Sequence, residues 1–97
     1  MTLTRDSVVA ASDSQVGCEV SGETFMLQMD DGVYYSLTAV GARIWELIQE
    51  PRSVAEVHRC LLDEYDVESE RCEKDLFVLL SDLVSKRLVD VRDGPAT

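Results

Sequence analysis

The stretch that most constrains the fold is residues 30–45, which read DDGVYYSLTAVGARIW. It combines a turn, a short apolar strand and a helix start without a break. A two-residue Asp31-Gly32 turn would place the apolar residues of the two flanking strands on opposite faces of the hairpin. A three-residue Asp30-Asp31-Gly32 loop, with Gly32 in the left-handed conformation, places them on one face, and we predict this register. The resulting cross-strand pairs are Met29–Val33, Leu27–Tyr35 and Phe25–Leu37.

Segments 16–20 and 24–29 are also predicted strands, joined by a tight turn. Segment 24–29 then has a neighbour on each side, so segment 33–37 is predicted to form an edge of the sheet. Residues 7–11 form a further short strand, and the pattern leaves open whether it pairs in this sheet or swaps between chains. In the predicted register, Tyr34 of the edge strand points to the face opposite this apolar one, together with Met26, Gln28 and Ser36.

Three helices are predicted after the hairpin. Thr38 is the expected N-cap of the first helix, which Pro51 ends. The sequence Ser53-Val54-Ala55-Glu56 is a capping box that begins the second helix. The third helix spans residues 69–87 and carries a wide apolar stripe. Residues 88–92 read as a short closing strand.

This order predicts an α+β protein with an N-terminal three-stranded antiparallel sheet packed on a winged helix-turn-helix bundle of three helices. We expect a single domain over residues 1–97. The sheet part covers residues 7–37, and the helical bundle with its closing strand covers residues 38–92. Residues 1–6 and 93–97 are expected to be flexible tails.

Composition narrows the function classes. The chain has 19 acidic and 9 basic residues and a net charge of −10, which repels phosphate backbones and suits a basic or neutral partner. The same charge would also serve to keep a small domain in solution. No apolar run reaches the roughly 18 residues of a membrane span, and the N-terminus lacks a secretory signal, so we expect a cytoplasmic protein.

The reactive side chains do not form a recognisable site. Cys18, Cys60 and Cys72, taken with His58, match no zinc spacing, and three cysteines do not make a disulfide framework. The sequence also contains no nucleophile elbow, phosphate loop or zincin helix. We therefore expect no metal, no cofactor and no enzymatic activity.

A helix-turn-helix raises the question of DNA binding. Residues 63–75 hold seven acidic residues against Arg71 and Lys74. This places negative charge where a DNA-binding protein of this class needs phosphate contacts. We expect the motif to serve as a packing unit.

The predicted edge strand and the third helix favour peptide binding over DNA binding. An unpaired edge strand can accept an extended peptide as an added strand, and one broad side of the third helix can supply pockets beside it. The leucines on that side are, taken singly, more often core residues. The candidate strand residues are Val33, Tyr34, Tyr35, Ser36 and Leu37, and the candidate helix residues are Asp75, Leu76, Leu79, Asp82, Leu83 and Lys86.

The ordered motifs resemble the PqqD-like precursor-peptide recognition elements. They are, in chain order, DGVYYSLT at 31–38, VGARIWEL at 40–47, PRSV at 51–54, LDEYDV at 62–67, Asp75 with Leu79, Leu80 and Leu83, and LVDV at 88–91. The similarity covers roughly residues 16–92. The glycine usual before the closing strand is replaced by Arg87.

The resemblance implies a non-catalytic protein that binds the leader segment of a ribosomally made precursor peptide. The leader would add as a fourth strand to residues 33–37 and lie against the third helix. The segments around Pro51 and Tyr65 look most like the lasso-peptide subclass, whose relatives deliver the precursor to a leader peptidase and a cyclase. The alternatives are a peptide chaperone for a radical SAM enzyme, as in pyrroloquinoline quinone assembly, and a winged-helix DNA-binding regulator.

Overall fold

A computed structural model describes residues 3–92 of the chain. It confirms the α+β class, with three helices and a three-stranded antiparallel sheet in the N-terminal half. The elements, in chain order, are β1 (Val8–Ala11), β2 (Gln15–Val20), β3 (Glu23–Gln28), β4 (Val33–Thr38), α1 (Ala39–Leu47), β5 (Arg52–Ser53), α2 (Val54–Glu64), α3 (Ser69–Ser85) and β6 (Val89–Arg92).

The strands form two separate sheets. One has the order β2-β3-β4, and the other has the order β5-β1-β6. β1 therefore pairs within its own chain, with Val9 opposite Val91 of the closing strand. The two-residue strand β5 was not predicted, because a pair such as Arg52-Ser53 carries no periodicity of its own.

The predicted register of the β3–β4 hairpin is wrong by one residue. The observed pairs include Gln28 opposite Val33 and Met26 opposite Tyr35, so the loop has four residues, Met29–Gly32. Gly32 does adopt the left-handed conformation, with φ +68°, and its N–H donates to the Gln28 carbonyl at 2.8 Å. A slip of one residue exchanges the two faces of β3.

The exchange places a partly polar face of β3 against the helices. Thr24, Met26 and Gln28 are buried there, whereas Phe25 is 39% exposed on the opposite face. Met29, expected in the strand, lies in the loop. The outward neighbours of Tyr34 are therefore Phe25 and Leu27 rather than Met26 and Gln28.

Gln28 provides a physical reason for this register. Its side chain is fully buried, and its amide donates to Ser14 Oγ at 3.0 Å and to the Arg87 carbonyl at 2.8 Å. Its carbonyl oxygen accepts from the Asp30 N–H at 2.7 Å. A buried amide that satisfies its hydrogen bonds avoids the penalty that otherwise keeps glutamine at the surface. Gln28 thus ties the hairpin to the residue that follows α3.

The helix ends follow capping chemistry. Ser53 accepts a hydrogen bond from the Glu56 N–H, and both halves of the predicted capping box are present. Thr38 is the N-cap of α1, although its side chain makes no capping hydrogen bond. α1 ends at Leu47, earlier than the predicted end at Pro51, and Ile48 is its C-cap.

α3 ends two residues before the predicted limit of 87. The Leu88 N–H donates to the Leu83 carbonyl and the Arg87 N–H to the Val84 carbonyl, each at 3.0 Å. This is the Schellman pattern, and it puts Arg87 at φ +61°. Arg87 thus occupies a left-handed position of the kind that glycine usually takes.

The core lies between the helices and the inner faces of both sheets. Trp45 is 5% exposed and belongs to this core. The largest contributions come from Val9, Met26, Ile44, Trp45, Ile48, Val54, Val57, Leu61, Leu76, Leu80, Leu83 and Leu88. In the described part of the chain, no helix has both the length and the apolar character needed to cross a membrane.

The expected N-terminal tail falls partly outside the described residues, and the tail at 93–97 falls outside them entirely. Within the described part, the Arg5 carbonyl accepts from the Ala55 N–H at 3.0 Å. The Arg5 side chain is paired with Glu73 on α3. Residues 3–6 therefore make contacts with both α2 and α3.

Candidate functional site

β4 forms an edge of its sheet, as predicted. β3 pairs with one side of it, and within residues 3–92 no strand pairs with the other side. Tyr35 and Leu37 point inward and are half-buried, whereas Tyr34 and Ser36 point outward and are exposed; Val33, at the hairpin end, is 44% exposed. The free side of β4 can accept a further extended segment.

α3 carries the helical residues of the predicted site at three different depths. Leu76 and Leu83 are 1% and 3% exposed and belong to the core. Leu79 is half-buried at the margin of the core, and Asp75 and Asp82 are exposed. Leu79, the two carboxylates and the half-buried Lys86 are therefore the residues of this set that a ligand could reach.

Lys86 connects α3 with β4. Its Nζ lies 2.7 Å from Asp82 Oδ2 and 5.2 Å from the centroid of the Tyr35 ring, within the range of a cation–π contact. The hydrogen bond to Asp82 raises the pKa of Lys86 above its ordinary value, so the ammonium group stays charged at neutral pH. The structure thus brings together Tyr35 on β4 with Asp82 and Lys86 on α3. All three were predicted site residues, and they come from segments far apart in the sequence.

A cavity of about 660 Å³ opens between α1, α2 and α3, and Asp75 and Leu79 of the predicted site line it. Its volume is in the range of small-ligand pockets. The apolar part of its wall is formed by Val40, Ile44, Leu61, Tyr65, Leu76 and Leu79. Asp75, Glu68 and Arg71 add charged groups to the wall.

The α1 side of this cavity was not predicted as part of the site. Val40, Gly41 and Ile44 line it, and Leu37 at the end of β4 lies beside Gly41. A sequence signal was present, because Val40 and Ile44 are four residues apart on one face of the helix. The same spacing is equally typical of core packing.

The cavity contains one thiol, that of Cys72. Burial raises the pKa of the Cys72 thiol, and the nearby Asp75 carboxylate raises it further. A protonated thiol is a poor nucleophile. No cluster of three or more histidine, cysteine, aspartate or glutamate side chains able to hold a metal ion occurs among the described residues.

Comparison with protein families gives a match over most of the chain. The model of the family of coenzyme PQQ synthesis protein D (PqqD) matches residues 23–89. These residues include β4, α3 and every residue that lines the cavity. A search of curated protein sequences gave no match.

Two solved structures share the fold. One is TbiB1 in complex with the TbiA(beta) leader peptide, at 33% sequence identity, with a TM-score of 0.79 over 91% of this chain and 99% of that chain. The other is lasso peptide synthetase B1 complexed with the leader peptide, at 22% identity, with a TM-score of 0.75 over 84% of this chain and 96% of that chain. At its lower identity, the second structure supports the fold alone.

Proposed function

The chain belongs to the PqqD family, and we propose that it binds the leader segment of a ribosomally synthesised precursor peptide. The observation that carries this proposal is the free edge of β4, which lies beside an apolar cavity and the charged residues of α3. TbiB1, which is similar over nearly its whole length, is a protein in complex with a leader peptide.

In this proposal the leader adds as a fourth strand to β4 (residues 33–38). Backbone hydrogen bonds to β4 fix the register of the leader, and its side chains alternate between the two faces of the extended sheet. The inward side chains enter the groove beside Leu37 and Leu79 and reach the cavity. Asp75, Asp82 and Lys86 select leaders with complementary charge.

The protein itself performs no chemistry in this proposal. Its partners are the leader and the enzymes that mature the precursor, a leader peptidase and a cyclase of the lasso-peptide type. A bound leader keeps the rest of the precursor close to these enzymes and so raises its effective concentration.

A second candidate is peptide delivery to a radical SAM enzyme. The family description, coenzyme PQQ synthesis protein D, favours it. The two candidates share the leader site and differ in the enzyme partner. Affinity for a purified radical SAM enzyme encoded beside the chain, without affinity for a leader peptidase, would select this alternative.

We also propose that α2, α3 and β6 form a winged helix-turn-helix unit that serves packing. Seven acidic side chains between residues 63 and 75 oppose phosphate contacts. A DNA-binding regulator would need a basic face on the same segment. Salt-dependent retention of a DNA duplex by the purified protein would revive that alternative.

The test is a calorimetric titration with the leader peptide encoded beside the chain, with a scrambled leader as the control. We expect a Kd of about 1 μM or tighter, which corresponds to about −8 kcal/mol, and no binding of the scrambled sequence. Equal binding of the two peptides, or binding of neither, would contradict the proposal.

Two variants locate the site. Leu79→Asp places a carboxylate at the margin of the groove, and Ser36→Pro disturbs the backbone pairing of β4. Ala55→Asp is the control for adding a carboxylate, since Ala55 is exposed on α2 and lies outside the residues of the proposed site. We expect both site variants to lose leader affinity while the control retains it. Retained affinity in both folded site variants would show that the leader binds elsewhere.

A further inference from the structure

The sheet formed by β2, β3 and β4 has a second face that points away from the helices. We call it the outer face. The cross-strand pairs Val16–Leu27, Cys18–Phe25 and Leu27–Tyr34 place their side chains on this face. Its apolar residues are Val16, Cys18, Val20, Phe25, Leu27 and Tyr34, and Glu23, Ser36 and Thr38 complete the face.

The outer face is unusually apolar for an exposed surface. Val16 is 57% exposed, Val20 54% and Tyr34 74%. An antiparallel sheet with one covered face normally carries polar residues on its open face. Here the buried face of β3 carries Thr24 and Gln28, and the open face carries Phe25 and Leu27. Folding alone does not explain this distribution, which is typical of an interaction surface.

The charges around the outer face indicate the kind of partner. Residues 7–42 contain no lysine or arginine and five acidic residues, which are Asp13, Glu19, Glu23, Asp30 and Asp31. Asp31 is paired with Arg87. Among residues 3–92, no basic group lies within 4.0 Å of the other four carboxylates. A second copy of the chain would bring acidic rims together, whereas lysine and arginine around an apolar patch would complement them.

We propose that the outer face docks the enzyme that acts on the leader-bound precursor, through an apolar patch on that enzyme bordered by lysine and arginine. This inference rests on the proposed function. The outer face is continuous with the proposed leader site, because Tyr34 and Ser36 belong to both. Every second side chain of an added leader strand would extend the outer face beyond β4.

The size of the face predicts cooperation between leader and enzyme. Three strands about 4.8 Å apart and about 20 Å long cover about 300 Å², which is less than the roughly 800 Å² per partner of a stable interface. An added leader strand enlarges the face by about a third. The enzyme therefore binds the leader-loaded protein more tightly than the free protein. By linkage, the enzyme raises leader affinity by the same factor.

The test uses Val16→Lys and, as a second variant, Val20→Lys. Both residues lie on β2, at the sheet edge opposite β4, so neither change touches the proposed leader site. Ala55→Lys on α2 is the control for adding a lysine at an exposed apolar residue outside both surfaces. Each purified protein is titrated with the leader peptide, and then with the purified leader peptidase encoded beside the chain, with and without leader.

We expect the β2 variants to keep leader affinity within about twofold and to lose peptidase affinity by at least about tenfold, while Ala55→Lys retains both. Equal peptidase affinity of wild type and both β2 variants would overturn the docking inference and leave the proposed function intact. Failure of the wild type to bind leader would instead overturn the proposed function, and the first titration detects it. A wild-type dimer at neutral pH that Val16→Lys dissociates would identify a second copy as the occupant and overturn the inference.

Discussion

The buried amide of Gln28 offers the sharpest test of the fold. Gln28→Ala removes three hydrogen bonds, of which two join the β3–β4 hairpin to Ser14 and to the carbonyl of Arg87 and one lies within the hairpin, from the Asp30 N–H. The Arg87 carbonyl directly follows α3, so this side chain connects the two walls of the proposed leader groove. We expect the substitution to destabilise the fold and also to weaken leader binding.

The expected loss of stability follows from the bonds removed. A buried polar group left without its partner costs about 1–3 kcal/mol. Three bonds are lost, and water entering the vacated space will satisfy part of this demand, so we expect a net loss of about 3 kcal/mol. The total stability of a domain of this size is about 5–15 kcal/mol. At about 4–8 °C per kcal/mol, the melting temperature should fall by about 12–24 °C.

Urea denaturation followed by circular dichroism measures this loss, with the slope m as a check on two-state behaviour. Gln49→Ala is the matched control, because Gln49 is exposed and its amide donates a single hydrogen bond, to the Trp45 carbonyl at 3.0 Å. If the two variants unfold with free energies within about 0.5 kcal/mol of each other, the amide of Gln28 does not hold the hairpin as described.

Three further substitutions have definite expected signs. Gly41→Ala should stabilise the protein by about 0.5–1 kcal/mol, because the added Cβ would lie 3.4 Å from the nearest atom of Leu37, an ordinary contact; thermal denaturation measures this, and a lower melting temperature would contradict it. Arg87→Gly should stabilise by about 0.5–1 kcal/mol, since relief of the left-handed backbone, worth about 1–2 kcal/mol, exceeds the lost surface ion pair, worth about 0.2–1 kcal/mol; an equal or lower urea midpoint would refute this. Glu64→Gln should reduce stability at neutral pH only, because hydrogen bonds from Arg43 lower the pKa of Glu64 below its ordinary 4.5. The stabilisation is present above that value and is lost as pH falls through the lowered pKa, so the stabilities of wild type and variant should converge in acid; a gap independent of pH would show that the ion pair does not contribute.

Local sequence signals predicted the elements and the candidate edge well. The capping box at Ser53 and the apolar stripe of α3 act within a few residues, so they can be read directly. The edge position of β4 followed from counting tight turns between strands. That argument does not depend on which face of each strand is buried. The edge position of β4 was therefore predicted correctly although the register was wrong.

The register could not be predicted because it depends on contacts distant in sequence. The count of apolar residues favoured Phe25 and Leu27 as the buried face of β3. The structure instead buries Gln28, whose amide donates to a carbonyl 59 residues away. No pattern of neighbouring residues predicts a hydrogen bond between positions so far apart in the sequence. The α1 wall of the cavity escaped prediction for a related reason, since Val40 and Ile44 show a helical spacing typical of both core and groove.

The free edge of β4 and the apolar outer face would each promote association between copies, and charge opposes it. The net charge of −10 keeps like-charged copies apart at neutral pH. This repulsion weakens near pH 4, where carboxylates become protonated, and in about 1 M salt, where the screening length falls to about 3 Å. We expect the mass measured by light scattering to increase under both conditions. Saturating leader should reduce the increase at high salt and neutral pH, because it covers the edge, and Val16→Lys should reduce it because it interrupts the outer face. A mass that stays constant from neutral pH to pH 4 and across the salt range would show that charge is not what keeps these surfaces apart.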